Sequence, residues 1–296
     1  MPKSKGRKKA KGKTKKKQVA SKSKAKLSVL PSRESMEGMM SDFFGGGGKG
    51  RTSAVDQAQQ IMYDAWEATT RRQRVALAKR AIEISADCAD AYVLLAEETA
   101  KSLDEALDLY RRGVVAGERA LGKKAFEEDV GHFWGLLETR PYMRARAGLA
   151  QSLWEAGSRD EAVEHYQDML RLNPNDNQGI RDLLMPYLIE LGRDADAENL
   201  FGQYKEDGMA VWMYSRALLD FRKEGNSLAA TKSLKAAFEE NKHVPAYLLG
   251  RKKMPRHLPD YYGFGDENEA IVFAHGNRLA WEATGGALEW LASKVK

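Results

Sequence analysis

From residue 55 onward, apolar residues recur every three or four positions, and no stretch alternates with period two. That pattern predicts helices throughout. Eight prolines in 296 residues leave few breaks in them. The pattern also repeats on a longer scale. Residues 144–175 carry Leu149, Ala150, Leu153, Gly157, Ala162, Tyr166, Leu170, Leu172 and Pro174, and 35 residues after the first of these Leu184, Leu188, Gly192, Ala197 and Phe201 take up the same positions. Each unit reads as two helices joined at its glycine, with a small alanine where the two meet; in the first, Pro174 ends the second helix. Further units are expected near 55–88, 89–114, 143–177, 178–210 and 211–245, with a terminal helical pair at 268–295 that turns at Gly285 and Gly286. A helical insertion, 115–141, and a loop-rich one, 246–267, interrupt the series.

Units of this length and spacing look like the tetratricopeptide repeat. The resemblance covers most of residues 55–245. It implies an all-α fold in which helix pairs stack into a right-handed solenoid over residues 55–296. A second resemblance lies beyond it. His243-Val244-Pro245, Tyr247-Leu248-Leu249, Gly265-Asp266, Glu269-Ala270-Ile271, Trp281 and Gly286-Ala287-Leu288, together with Cys88 to Glu98, resemble the suppression-of-tumorigenicity-seven family. Members of that family are helical-repeat proteins without an assigned catalytic site, so the resemblance implies a scaffold and no reaction. Animal members have membrane helices, whereas no apolar run here approaches the ~18 residues a membrane helix needs.

Charge divides the chain. The net charge is +6, but Lys3, Lys5, Arg7, Lys8, Lys9, Lys11, Lys13, Lys15, Lys16, Lys17, Lys22, Lys24 and Lys26 put thirteen positive charges and no acid into residues 1–26, so the rest sums to −7. A tail of this composition repels itself and is expected to be disordered and drawn to polyanions. It either contacts nucleic acid or another polyanion, or rests as a solubilising tail on its own acidic body. No aromatic interleaves with the lysines to stack on bases. The tail is not part of the second family pattern, and it lacks the apolar core of a secretory signal. Residues 27–54 read as a linker, flexible at Gly45 to Gly48. Within it Met36, Met39, Met40, Phe43 and Phe44 fall on one helical face, which either caps the protein's own first helices or docks in a groove of another protein.

Candidate chemistry is sparse. In GGGGKGRT, Lys49 precedes Gly50 and Phe43 stands at the leading glycine position, so the phosphate-loop order fails. None of His132, His165, His243, His257 and His275 has a second ligand at metal spacing. His165 beside Glu164 reads as a solvated pair. Cys88, the one cysteine, stands between two aspartates that would raise its pKa. A single cysteine excludes an internal disulfide framework and points to a reducing compartment, the cytoplasm or, from the lysine tail, the nucleus of a eukaryotic cell. The expectation is a non-enzymatic protein with no cofactor, no metal and no membrane span.

Recognition is expected on helix faces and loops. Some tetratricopeptide domains grip a C-terminal carboxylate through Lys and Asn, where this chain has Ala147 and Gln151, then Asp182 and Pro186, so that clamp is absent. The candidate partner contacts are Arg144, Gln151, Trp154, Asp182, Ile189 and Glu190. Arg144 and Trp154 are the likeliest anchors by residue type; Trp154 either anchors a partner or packs on the neighbouring helix. Tyr261, Tyr262 and Phe264 either anchor a partner or pack their loop onto the scaffold. The leading expectation is an adaptor that binds a protein or peptide, with the tail adding electrostatic attachment. The alternative is a nucleic-acid- or ribosome-associated protein driven by the tail. An enzyme with an unrecognised helical site is the remote third.

Removing residues 1–26 is expected to abolish duplex DNA binding. If about half of the tail's charges engage, log affinity falls against log salt with a slope of about −6. A titration at several salt concentrations checks both points, and tight binding by the tail-deleted chain would overturn them.

Overall fold

A computed structural model describes residues 34, 36–40 and 53–295. The lysine-rich tail, Phe43, Phe44 and the glycine run with Lys49 lie outside the described residues. Those described form helices and connecting loops, with no strand among them. A helical segment, α1 (described at residues 34 and 36–40), precedes the array. Helix pairs follow: α2 (Ala54–Glu67) with α3 (Arg71–Ile84), α4 (Ala89–Thr99) with α5 (Leu103–Glu128), α6 (Arg140–Glu155) with α7 (Arg159–Leu172), α8 (Ile180–Glu190) with α9 (Asp194–Gln203), and α10 (Ala210–Glu224) with α11 (Leu228–Glu240). The short α12 (Val244–Leu248), α13 (Glu267–Ala283) and α14 (Ala287–Lys294) complete the chain.

Local chemistry sets several helix starts. Ser53 opens α2 with a reciprocal capping box: its hydroxyl accepts from the Asp56 N–H at 3.1 Å, and the Asp56 carboxylate accepts from the Ser53 N–H at 2.9 Å. Thr70, Ser102, Ser227 and Asp266 cap α3, α5, α11 and α13 in the simpler way. The turns inside the α6–α7 and α8–α9 pairs use a residue with positive φ. Gly157 (φ 86°) and Gly192 (φ 68°) supply it in successive pairs, where a side chain would be strained. α5 passes residues 114 and 115 without a break and turns at Gly122.

Packing is sequential, each helix against the next, and it is also lateral. α4 lies against α6, α8 against α10, and α13 bridges α8 and α10. The first helices of successive pairs therefore share one surface. The positions singled out by periodicity are interior: Leu149, Ala150, Leu153, Ala162, Tyr166, Leu170 and Leu172 are all buried, and so are Leu184, Leu188 and Ala197 of the following pair. α5 and α6 come unusually close. A Cβ at Gly117 would fall 2.9 Å from Tyr142 Cβ, and one at Gly148 would run into the Tyr110 ring.

At the far end the core is aromatic. Trp281 stacks parallel to Trp290, which stacks on Phe221, and Tyr214 lies against Phe273. The buried carboxylate of Glu269 accepts from the Ala210 N–H at 2.9 Å, from Asn241 Nδ2 at 2.8 Å and from the Gly265 N–H at 2.8 Å. Ala210 is the first residue of α10, whose N-cap, Met209, offers no side-chain acceptor. A residue of α13 thus supplies a hydrogen bond that the start of α10 lacks locally.

Ala162 is fully buried where α6 meets α7. Ala162→Arg forces a long cation into that contact and is expected to cost ~3 kcal/mol or more. Glu164→Arg, on the exposed face of the same helix, is expected to stay within ~0.5 kcal/mol. Urea unfolding of the two variants beside the parent chain separates the expectations.

Candidate functional site

The side chains that could meet a partner lie along one face of α6. Arg140, Arg144, Ala147, Gln151 and Trp154 succeed one another at steps of four and three, so they share a stripe. At its N-terminal end the stripe faces α2 and α4, and there the chain has assembled a buried cluster of charges.

Arg144 is its centre. Its Nε donates to Asp90 Oδ1 at 2.8 Å and its Nη2 to Asp90 Oδ2 at 2.6 Å, a two-pronged grip. Its Nη1 donates to Glu37 Oε2 at 2.8 Å. The guanidinium also lies 5.3 Å from the centre of the Trp66 ring. Arg140 completes the contact from the preceding turn: its Nη1 donates to Glu37 Oε1 at 3.0 Å and its Nε to the Trp134 carbonyl at 2.9 Å. Gln59 Nε2 donates to Asp90 Oδ2 at 2.7 Å. The Asp90 side chain is 0% exposed and that of Glu37 2%. Two guanidiniums face two carboxylates, so the cluster is neutral.

The electrostatics follow from this enclosure. Burial alone would lower the Arg144 pKa, but the charges and hydrogen bonds of Asp90 and Glu37 outweigh it and hold the guanidinium above its usual range. Burial, then the charges of Asp90 and Glu37, push the Tyr63 hydroxyl up to about 12. The Cys88 thiol rises to about 12 by burial first and Asp90 second, so it is no nucleophile. Glu97, at the edge of the site, is pushed up by partial burial, Asp90 and Glu34.

α1 reaches this site in an unexpected way. The apolar face of Met36, Met39, Met40, Phe43 and Phe44 was expected either to cap the first helices or to dock on another protein, and its two phenylalanines lie outside the described residues. Glu37 and Gly38 face inward, and the methionines stay exposed, Met39 to 59%. The reason is steric and electrostatic. A Cβ at Gly38 would lie 3.0 Å from Tyr63 Cγ, so a large residue does not fit there, and the arginine pair calls for a carboxylate.

The other sequence candidates divide. Ile189 is 1% exposed and belongs to the core, so it is closed to a partner. Trp154 stacks on Tyr187 of α8 with ring centres 3.6 Å apart and planes 9° apart, while Arg159 covers it at 4.8 Å; it packs on the neighbouring helix. Glu190 pairs with Arg159 at 2.9 Å. Gln151 Oε1 accepts from the Tyr187 hydroxyl at 3.1 Å and the Tyr166 hydroxyl at 3.3 Å. Asp182 accepts from Trp212 Nε1 at 2.7 Å, and burial raises its pKa. Tyr261 and Phe264 are each 81% exposed, and Tyr262 is exposed less; the first two do not pack their loop onto the scaffold. Arg144 is engaged within the chain rather than free. His165 is not a solvated pair with Glu164: its Nδ1 accepts from Arg146 Nε at 3.1 Å, and burial and Arg146 lower its pKa. Sequence reasoning missed Glu37, Asp90 and Arg140. The available signal was an acid inside each of two apolar runs, Met36–Met40 and Ala89–Ala96.

The family model described as "ST7 protein" matches residues 50–295. The chain belongs to the ST7 family. Curated relatives of this ST7-family chain include "Suppressor of tumorigenicity 7 protein-like" of Gallus gallus, 28% identical over 81% of this chain and 47% of the relative. "Protein ST7 homolog" of Drosophila melanogaster is 29% identical over 80% and 48%, and that of Caenorhabditis elegans 27% over 79% and 50%. The chain thus spans about half the length of the curated relatives it matches. Among its described residues no helix is long and apolar enough to cross a membrane.

Asp90→Ala leaves Arg144 buried with one carboxylate fewer, and is expected to cost ~3–5 kcal/mol. Asp87→Ala removes only the half-exposed pair with Arg119, 2.7 Å apart, worth ~0–1 kcal/mol. Chemical denaturation of both variants checks the contrast; equal losses would show that the buried cluster is not held as described.

Proposed function

We propose that this ST7-family chain is a non-enzymatic scaffold that binds a protein or peptide on its helical array. Its helix pairs are read as tetratricopeptide-like units. What supports that reading is the recurrence of a positive-φ glycine and a buried alanine, Gly157 with Ala162 and Gly192 with Ala197, in successive pairs.

A single observation carries the functional reading. The surface shared by α2, α4 and α6 grips a short helical segment through a buried carboxylate. The segment belongs to the same chain, but a partner's helix bearing a carboxylate could meet the same two guanidiniums. The exposed Tyr261 and Phe264 offer a further anchoring point of the type common at protein interfaces. The basic residues from Lys3 to Lys26 add attachment to nucleic acid or another polyanion without sequence preference, in the cytoplasm or nucleus.

Affinity capture with the full chain and with a chain lacking residues 1–26, each with and without nuclease, tests the division of labour. The protein partners are expected to survive both treatments. Their loss with the tail or on nuclease treatment would make the tail the principal binding element.

A further inference from the structure

The arginine site is incomplete without an occupant. The folded array contributes two guanidiniums, Arg140 and Arg144, and one carboxylate, Asp90. Without α1 one positive charge is left unanswered; with it, Glu37 supplies the carboxylate and the Arg140 and Arg144 side chains are 15% and 12% exposed. An unpaired buried charge is costly, so the site selects for an acid whether the acid arrives in cis or in trans.

α1 is poorly built to be a permanent part of the fold. It buries one carboxylate and one glycine and leaves its three methionines exposed. The twelve residues 41–52 join it to Ser53. Among the described residues the contact rests on one carboxylate and one glycine, so charge holds it there and another acid can take its place.

We propose that α1 is a built-in stand-in for the partner, and that the Arg140–Arg144 site takes a helical segment bearing a carboxylate followed directly by glycine or alanine. The acid enters between the two guanidiniums, and the small residue passes the face of Tyr63, where an added Cβ would lie 3.0 Å from Cγ. Partner binding then requires release of α1. A tether of this length gives its cargo an effective concentration on the order of a millimolar. A site with an intrinsic Kd of ~10–100 μM is thereby masked ~10- to 100-fold. The inference rests on the scaffold reading and specifies the ligand of its groove.

The test uses the full chain and a fluorescein-labelled synthetic peptide of residues 33–44, followed by anisotropy. Glu37→Ala in the chain removes the competing carboxylate. Gly38→Leu in the chain blocks docking sterically and leaves every charge in place. Both variants are expected to bind the peptide at least tenfold more tightly than the parent chain, with unchanged helical circular dichroism. The peptide carrying Glu37→Gln is expected to lose binding to all three. Equal affinity for the parent chain and both variants, or no binding to a variant of native helicity, would overturn the proposal. The capture experiment stands apart from it. Partners retained there while the peptide fails would leave the scaffold reading intact and place its contact on another surface. Peptide exchange without captured partners would establish the site and remove the scaffold reading.

Discussion

A guanidinium removed from water must have its charge answered, and Arg144 is answered from three directions at once. Asp90 comes from α4, Glu37 from α1, and the Trp66 face from α2, while the arginine itself stands on α6. Four segments are therefore tied to one planar group whose donors point in fixed directions. Such a cluster adds little net stability over an apolar replacement, but losing one member is expensive. What it imposes is a penalty on any packing that shifts α2, α4 and α6 relative to one another. Apolar seams alone would tolerate such a shift more readily, because dispersion is not directional.

Glu269 solves a similar problem at the other end and shows why the two sites differ. Its carboxylate is met by the backbone N–H groups of Ala210 and Gly265 and by the Asn241 amide. All of these belong to the framework around α10 and α13, so the contact fixes how α13 seats against α10. Glu37 is met by two guanidiniums of α6, and the methionines described beside it in α1 stay exposed. One carboxylate completes a helix start; the other completes a charge balance that any suitably placed acid could complete.

Much of the fold was legible in the sequence because its determinants are local and periodic. The spacing of Leu149, Ala150, Leu153, Ala162 and Tyr166 reports a buried helix face directly, and all five are buried. Where a turn takes a positive φ, as at Gly157 and Gly192, the requirement shows in a single residue. The charge cluster was not legible. Arg144 and Asp90 are 54 residues apart, Arg144 and Glu37 107 residues apart, and no period links them. Arg144 was singled out as a partner contact by residue type, and its partner proved to be the chain itself. The close packing of α5 on α6 went unread too, although Gly113 and Gly117, one helical turn apart, mark a face where another helix can approach. In α1 amphipathicity identifies the apolar side, but a charge decides that Glu37 turns inward and Met36, Met39 and Met40 stay exposed.

The surroundings of the arginine site limit what can enter it. Outside the tail the chain carries a net −7, and Glu97 at the edge of the site is already pushed up by burial, Asp90 and Glu34. A strongly acidic peptide would meet that repulsion within the ~8–10 Å over which charges interact at ordinary salt. The two guanidiniums have room in their balance for one negative charge, because Asp90 has taken the other. A single carboxylate beside a small residue satisfies both constraints, whereas a run of carboxylates violates both. The absence of Lys and Asn at Ala147 and Gln151 acts in the same direction. The groove is built to answer one charge in a buried place and offers no series of cations to an extended acidic tail.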